Sequence, residues 1–316
     1  MKYDVITSGS GLVDAFVNTG IKEDNGKICF IAGTKIEVKD IIFSVGGGGI
    51  NTASSFAKMG LRTGFIGKVG SGYNSQIILR ALKERGIHFL GVKSKEHAGY
   101  SIVLESDKKH RTILTYKGVS NSLSYNELNL KNLDSKWFHF TSLSGESFET
   151  QKKLVDYAKK KNIRISYNPS SYQLKSGFNY ISKIIKNTHI LSLNKEEAEM
   201  LVGKKDTCRK LHELGPEIIC ITNGENVGEV FDGNFMYKFY PNKVKADECT
   251  GAGDSFASGF VAGFLKSGDI ERSIKIAMAN AESNITKRGA NTGVLSWNGV
   301  EKVLKNKTFK VKMEKL

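Results

Sequence analysis

The chain has 316 residues, 40% of them hydrophobic and 25% charged, with a net charge of +15. Such values fit a globular protein with a sizeable core and leave out a membrane span, because no apolar run approaches the roughly 18 residues one needs. The excess Lys is spread along the chain and its densest run, KKKN at 159–162, closes a predicted helix, so a solvated basic face is expected and a nucleic-acid partner is not.

The amino end, MKYDVITSGSG, reads as a first strand and not as a signal peptide. Further β-type runs bounded by Gly, Asn or Pro follow: TGFIGKVG (63–70), KWFHFTS (136–142), IRISYNPS (163–170), THILSLN (188–194) and EIICITN (217–223). Helical runs alternate with them, at 51–60, 75–86, 149–162, 179–187 and 195–203. In the third, Leu154, Val155 and Ala158 recur at helical spacing against a Lys-rich face. Alternation of this kind predicts an α/β fold with a mainly parallel sheet covered by helices on both sides. Two stretches, 14–45 and 98–118, carry β-type runs (KICFIAG, DIIFSV, GYSIVLES, RTILTYKG) without helices between them. They predict a small antiparallel sheet standing off the main one. No repeat or low-complexity linker divides the chain, so residues 1–316 are expected to form a single domain.

Four cysteines without CxxC spacing and six scattered His give no zinc or disulfide pattern, and a cytoplasmic setting is expected. There is no GxxxxGK[ST]. GSGLVD (9–14) begins like a dinucleotide fingerprint, but Asp14 holds the third Gly position. FDG (231–233) reads as a turn between two strands.

SVGGGGINTASSFAKMG (44–60) has four consecutive glycines, which suit positive φ or close approach of another molecule. Asn51 can cap the next helix or hold hydroxyls of a polyol together with the Gly amides. In CTGAGDSFASGFVAGFL (249–265), Phe256, Phe260 and Phe264 recur every four residues, predicting a helix over about 253–265, with Gly259 and Gly263 permitting close packing. Gly251, Ala252 and Gly253 then lie at its amino end, where unpaired N–H groups and the helix dipole attract anions. Asp254 in the first turn either complements the dipole or acts as a base beside that anion hole; in both cases the dipole should lower its pKa.

Together these segments resemble the ribokinase-like (PfkB) carbohydrate kinases. The resemblance spans nearly the whole chain and rests on Gly46, Gly47, Gly49, Asn51, Ala53, Gly60 and Gly70, then on Thr250, Gly251, Ala252, Gly253, Asp254, Ser258 and Gly259, with NxxE at Asn194 and Glu197 between them. It implies a three-layer α/β/α fold with a β-sheet lid formed by 14–45 and 98–118. The implied reaction is transfer of the ATP γ-phosphate to a hydroxyl of a sugar such as ribose, fructose or 2-keto-3-deoxygluconate, with a nucleoside as the alternative acceptor. Asp254 becomes the base, and the amides of Gly251, Ala252 and Gly253 the anion hole. Asn194 and Glu197 organise Mg²⁺ through water; Asn194, Thr222, Gly224 and Asn280 line the nucleotide site; Asp14, Gly47 and Asn51 hold the sugar. Tyr100 and Tyr116 are candidates to stack on a nucleobase. The resemblance also implies a homodimer through the lid.

The sequence departs from the family pattern at Glu248-Cys249 before TGAGD and at Gly293 in KRGANTG, segments that in many members help hold a monovalent cation such as K⁺. ISYNPSSY lacks the Arg that would contact a phosphorylated or acidic substrate, GSGYNS replaces Gly-x-Asp-x-x-Gly, and Val227 stands where a second Gly follows TNG.

Overall fold

The structure, a computed structural model, describes residues 2–108 and 110–315. From the amino end it runs β1 (Tyr3–Ser8), β2 (Leu12–Asn18), β3 (Asp40–Gly46), α1 (Gly48–Lys58), β4 (Thr63–Ile66), β5 (Lys68–Ser71) and α2 (Tyr73–Glu84). Then come β6 (His88–Phe89), β7 (Val92–His97), β8 (Gly99–Glu105), β9 (Arg111–Tyr116), β10 (Ser135–Thr141), α3 (Gly145–Lys161) and β11 (Arg164–Asn168). The next set is α4 (Ser171–Lys175), α5 (Phe178–Ile185), β12 (Ile190–Asn194), α6 (Lys195–Val202), α7 (Thr207–Glu213) and β13 (Ile218–Thr222). Last are β14 (Gly228–Phe231), β15 (Phe235–Tyr240), α8 (Ala252–Ser267), α9 (Ile270–Asn284), α10 (Trp297–Asn306) and β16 (Lys310–Lys315).

A ten-stranded sheet has the order β16-β15-β14-β13-β12-β11-β10-β1-β4-β6. It is parallel from β13 to β6 and antiparallel from β13 to β16. Alternating side chains fill a core on each face, as a sheet buried on both sides requires. Ile6, Phe138, Leu191 and Ile219 face a cluster that includes residues of α3, α5 and α7. Their neighbours Val5, Trp137, Ile190 and Ile218 face one built from α1, α8 and α9. Helices α8 and α9 meet closely at the glycines: a Cβ on Gly259 would stand 2.9 Å from the Cα of Ala277, and one on Gly263 2.9 Å from that of Ser273.

The second sheet is the lid, in the order β3-β2-β8-β9. Its strands overlap the two stretches that break the βα alternation, β2 starting two residues earlier and β3 ending one residue later, but it is mixed, because β2 and β8 run parallel. The run KICFIAG is not a strand; Phe30 and Ile31 are exposed and have no sheet to join. The predicted strand at 63–70 divides at Gly67, β4 joining the main sheet and β5 pairing with β7. FDG does turn between β14 and β15. Among the described residues no helix is long and apolar enough to cross a membrane.

Candidate active site

The carboxyl ends of β1, β10, β11, β12 and β13 converge with the amino end of α8, the place where open parallel sheets put their ligand sites. A cavity of about 380 Å³ opens there under the lid, lined by Asp14, Gly47, Asn51, Lys117, Asn194, Glu197 and Asp254, among others. A second cavity, of about 420 Å³, is lined mainly by apolar groups, including Val244, Phe256, Met278, Ala281 and Ile285. Thr222, Gly253 and Phe256 line both, so the two cavities meet at the start of α8.

Gly251 is the N-cap of α8 with φ of 78°, and a Cβ there would lie 2.1 Å from the Ala290 carbonyl oxygen, so only glycine fits. The amide of Ala252 donates to the Cys249 carbonyl at 3.2 Å. Within the helix, the amides of Gly253 and Asp254 have no carbonyl one turn back to bond, and both residues face the cavity. Of the amides the sequence implied, that of Ala252 is thus engaged and that of Gly253 is open, joined by that of Asp254.

Asp254 Oδ2 accepts a 2.8 Å hydrogen bond from Asn51 Nδ2. This joins the second signature to the first across 203 positions. Asn51 lies inside α1, whose N-cap is Gly47, so it does not cap that helix. The Asp254 pKa is pushed up to about 6, against the expected lowering. Desolvation dominates and the charge of Glu197 adds to it, while the Asn51 hydrogen bond opposes. A helix dipole is worth only about 0.3–1 kcal/mol at an exposed end, and here it loses to exclusion of water.

Asp14, on β2, is 7% exposed, and burial pushes its pKa up to about 6 against the opposing pull of a Ser101 hydrogen bond and the Lys117 charge. Gly46 makes room for it: a Cβ there would meet Asp14 Oδ2 at 1.9 Å. Lys117 was not expected at the site. It follows β9, and Ile113, Thr115 and Lys117 line the cavity at every second position, a strand-period signal present in RTILTYKG. Burial lowers its pKa.

Asn194 and Glu197 form a capping box at the start of α6: Glu197 N donates to Asn194 Oδ1 at 2.8 Å, and Asn194 N to Glu197 Oε2 at 3.1 Å. Ser171 Oγ donates to Glu197 Oε1 at 3.0 Å. Both residues also line the cavity. Among the described residues no cluster of three or more His, Cys, Asp or Glu could cage a metal.

A profile described as the pfkB family carbohydrate kinase matches residues 17–297. An uncharacterized sugar kinase of Archaeoglobus fulgidus is 28% identical, the match spanning 75% of this chain and 97% of that one. An ATP-dependent 6-phosphofructokinase of Thermoanaerobacterium thermosaccharolyticum is 25% identical over 92% of this chain and 90% of its own length. The crystal structure of a ribokinase from Thermotoga maritima superposes with a TM-score of 0.82 at 21% identity, covering 96% of this chain and all of that one.

The chain belongs to the pfkB family of carbohydrate kinases.

Thr222 and Gly224 border the apolar cavity, the first at the end of β13 and the second two residues beyond it. Asn280, expected beside them, does not line it. It is fully buried, Nδ2 donating to Ser55 Oγ (3.0 Å) and the Ser255 carbonyl (2.8 Å) and Oδ1 accepting from Leu295 N (2.8 Å). Helical phase explains the correction: Met278, Ala281, Glu282 and Ile285 at the cavity share one face, and Asn280 points elsewhere. Tyr100 and Tyr116 pair across β8 and β9 and line neither cavity. Glu248 is buried, accepts from Thr250 N at 2.8 Å and pairs with Arg111 of β9, which also donates to Thr250 Oγ1 at 2.8 Å.

Proposed function

We propose that this carbohydrate kinase transfers the γ-phosphoryl group of ATP to a hydroxyl, in the first instance a primary one, of an uncharged monosaccharide. The observation that carries the reading is the Asn51–Asp254 hydrogen bond at the amino end of α8, where a polar cavity meets an apolar one. The polar side suits a sugar held by Asp14, Gly47 and Asn51. The apolar side suits a nucleoside base between Phe256, Met278 and Ile285, with Thr222 and Gly224 at its edge. The phosphates then cross the start of α8.

In the reaction the acceptor oxygen bonds to the γ-phosphorus as the bond to the β,γ-bridging oxygen breaks, and the hydroxyl proton passes to an Asp254 carboxylate oxygen. The amides of Gly253 and Asp254 meet the charge on the migrating group. Positioning and charge stabilisation carry most of the rate, so a base of modest strength suffices. Bound Mg²⁺ would neutralise phosphate charge. Asn194 and Glu197 fit it through water, since Mg²⁺ keeps several waters and needs only one or two carboxylates beside phosphates.

The lining supports this choice of acceptor class. Among the described residues Lys117 is the only cation lining the polar cavity, and its charge faces Asp14. A phosphorylated sugar would find no free cation there, and the carboxylate of 2-keto-3-deoxygluconate would have to draw Lys117 away from Asp14. Among the described residues Phe256 is the only aromatic side chain in that lining, which offers a nucleobase acceptor little to stack on. These features favour ribose- or fructose-like acceptors. ADP release from ATP and Mg²⁺ with ribose, fructose, 2-keto-3-deoxygluconate, fructose 6-phosphate, adenosine and cytidine tests the assignment. The neutral sugars should turn over best; preference for the phosphorylated sugar or a nucleoside would refute it.

The reading extends to one cytoplasmic kinase domain over residues 1–316 and to a homodimer through the lid, whose edge strands expose Ile41, Phe43, Leu114 and Tyr116.

A further inference from the structure

Behind Asn51, outside both cavities, lies Asn291, a buried side chain that the proposed reaction does not use. Its turn is built rigidly. Asn284, fully buried on α9, donates through Nδ2 to the Ala290 carbonyl at 2.9 Å and accepts from Gly293 N at 3.0 Å. Asn291 Nδ2 then makes two donations, to the Val45 carbonyl of β3 at 2.8 Å and to Asn51 Oδ1 at 2.7 Å.

The orientation of this chain of amides follows from one group. A backbone carbonyl can only accept, so the Asn291 amide nitrogen must face Val45; the opposite flip would set two oxygens against each other. Both amide hydrogens of Asn291 are thereby used, and Asn51 must present its oxygen to Asn291. Its nitrogen is left for Asp254 Oδ2, at 2.8 Å. Meanwhile Asn291 Oδ1 has no partner among the described residues. An unpaired buried acceptor is a cost to folding, so local satisfaction alone does not account for an amide at this position.

We propose that Asn291 is a positioning residue for phosphoryl transfer, locking the Asn51 amide so that its N–H group faces the reacting carboxylate of Asp254. This rests on the assignment of Asp254 as the base. Without Asn291 the Asn51 amide still turns its N–H to the carboxylate, which can only accept, but its oxygen loses the anchor that fixes it, so amide and carboxylate can shift together off the line between acceptor hydroxyl and phosphorus. Misplacement of this size acts on turnover more than on nucleotide binding.

Steady-state kinetics of Asn291→Ala, Asn51→Ala and the double variant, with ATP and the best neutral acceptor, test the coupling. Asn291→Ala should lower kcat by about 10- to 100-fold with KM for ATP unchanged, and should add no further loss in the Asn51→Ala background. Wild-type kcat, or losses that multiply in the double variant, would overturn the proposal. Asn291→Ser, which keeps one hydroxyl donor, replaces the alanine variant if that one does not fold. A crystal structure of the Asn291 variant decides independently of any acceptor: the Asn51 and Asp254 side chains should be displaced together, and a pair that stays in its wild-type position contradicts the lock. A wild-type protein that turned over no acceptor would remove the kinase assignment while leaving this structural arm to judge Asn291's hold on Asn51.

Discussion

Asp254 is held by Asn51, crowded by Glu197 and shares its cavity with Asp14 and Lys117. Its raised pKa has two opposite consequences. As the proposed base the carboxylate must be free of its proton, so kcat/KM should rise with pH through about 6 and level off above it. For folding, a carboxyl whose folded pKa exceeds its unfolded value stabilises most below 3.8, and that stability is lost as pH rises toward about 6. Asp254→Asn removes the charge while keeping an acceptor for Asn51. Its melting temperature relative to wild type should therefore increase between pH 4 and pH 7; a difference that stayed constant or fell over that range would contradict the raised pKa. The sequence made Asp254 and Asn51 legible because each stands inside a contiguous glycine-rich signature. It misjudged the pKa of Asp254, because burial by segments 200 residues away is invisible in a local pattern, whereas the dipole of its own helix is not. Asn280 was misplaced for a related reason: a residue on the correct helix needs the correct phase to reach a cavity.

At the scale of elements, helix α8 and the glycine loop were readable from spacing, and so was the lid as a break in alternation. What the spacing did not contain was the lid's attachment. Arg111 on β9 reaches buried Glu248 beside the α8 turn, a contact between segments with no shared motif. Arg111→Met leaves that carboxylate without its cation. The loss should be about 1–3 kcal/mol, below the range for fully buried pairs because Arg111 is partly exposed, and KM for the acceptor should rise as the lid loosens. Unchanged stability and KM would mean that the pair holds nothing. The same contact bears on K⁺. Glu248, the carboxylate that could face such a cation, is paired with Arg111. Turnover is therefore expected to be the same in potassium and tetramethylammonium salts, and strong stimulation by potassium would contradict this account of the turn.

For the whole molecule, the two cavities explain the architecture better than the net charge does. The +15 charge identifies no partner, and the polar cavity itself carries three carboxylates against one Lys. The outer face of the lid exposes Ile41, Phe43, Leu114 and Tyr116, and light scattering should give twice the chain mass, falling toward one on Phe43→Glu; a monomeric wild type would contradict the proposed dimer. The central claim concerns Asp254 at the junction of the cavities, and the turnover of Asp254→Asn with ATP, Mg²⁺ and the best neutral sugar tests it most directly. In that variant kcat should fall by about 10²–10⁴-fold in a folded protein that still binds ATP. A variant that phosphorylates the sugar at the wild-type rate would contradict it.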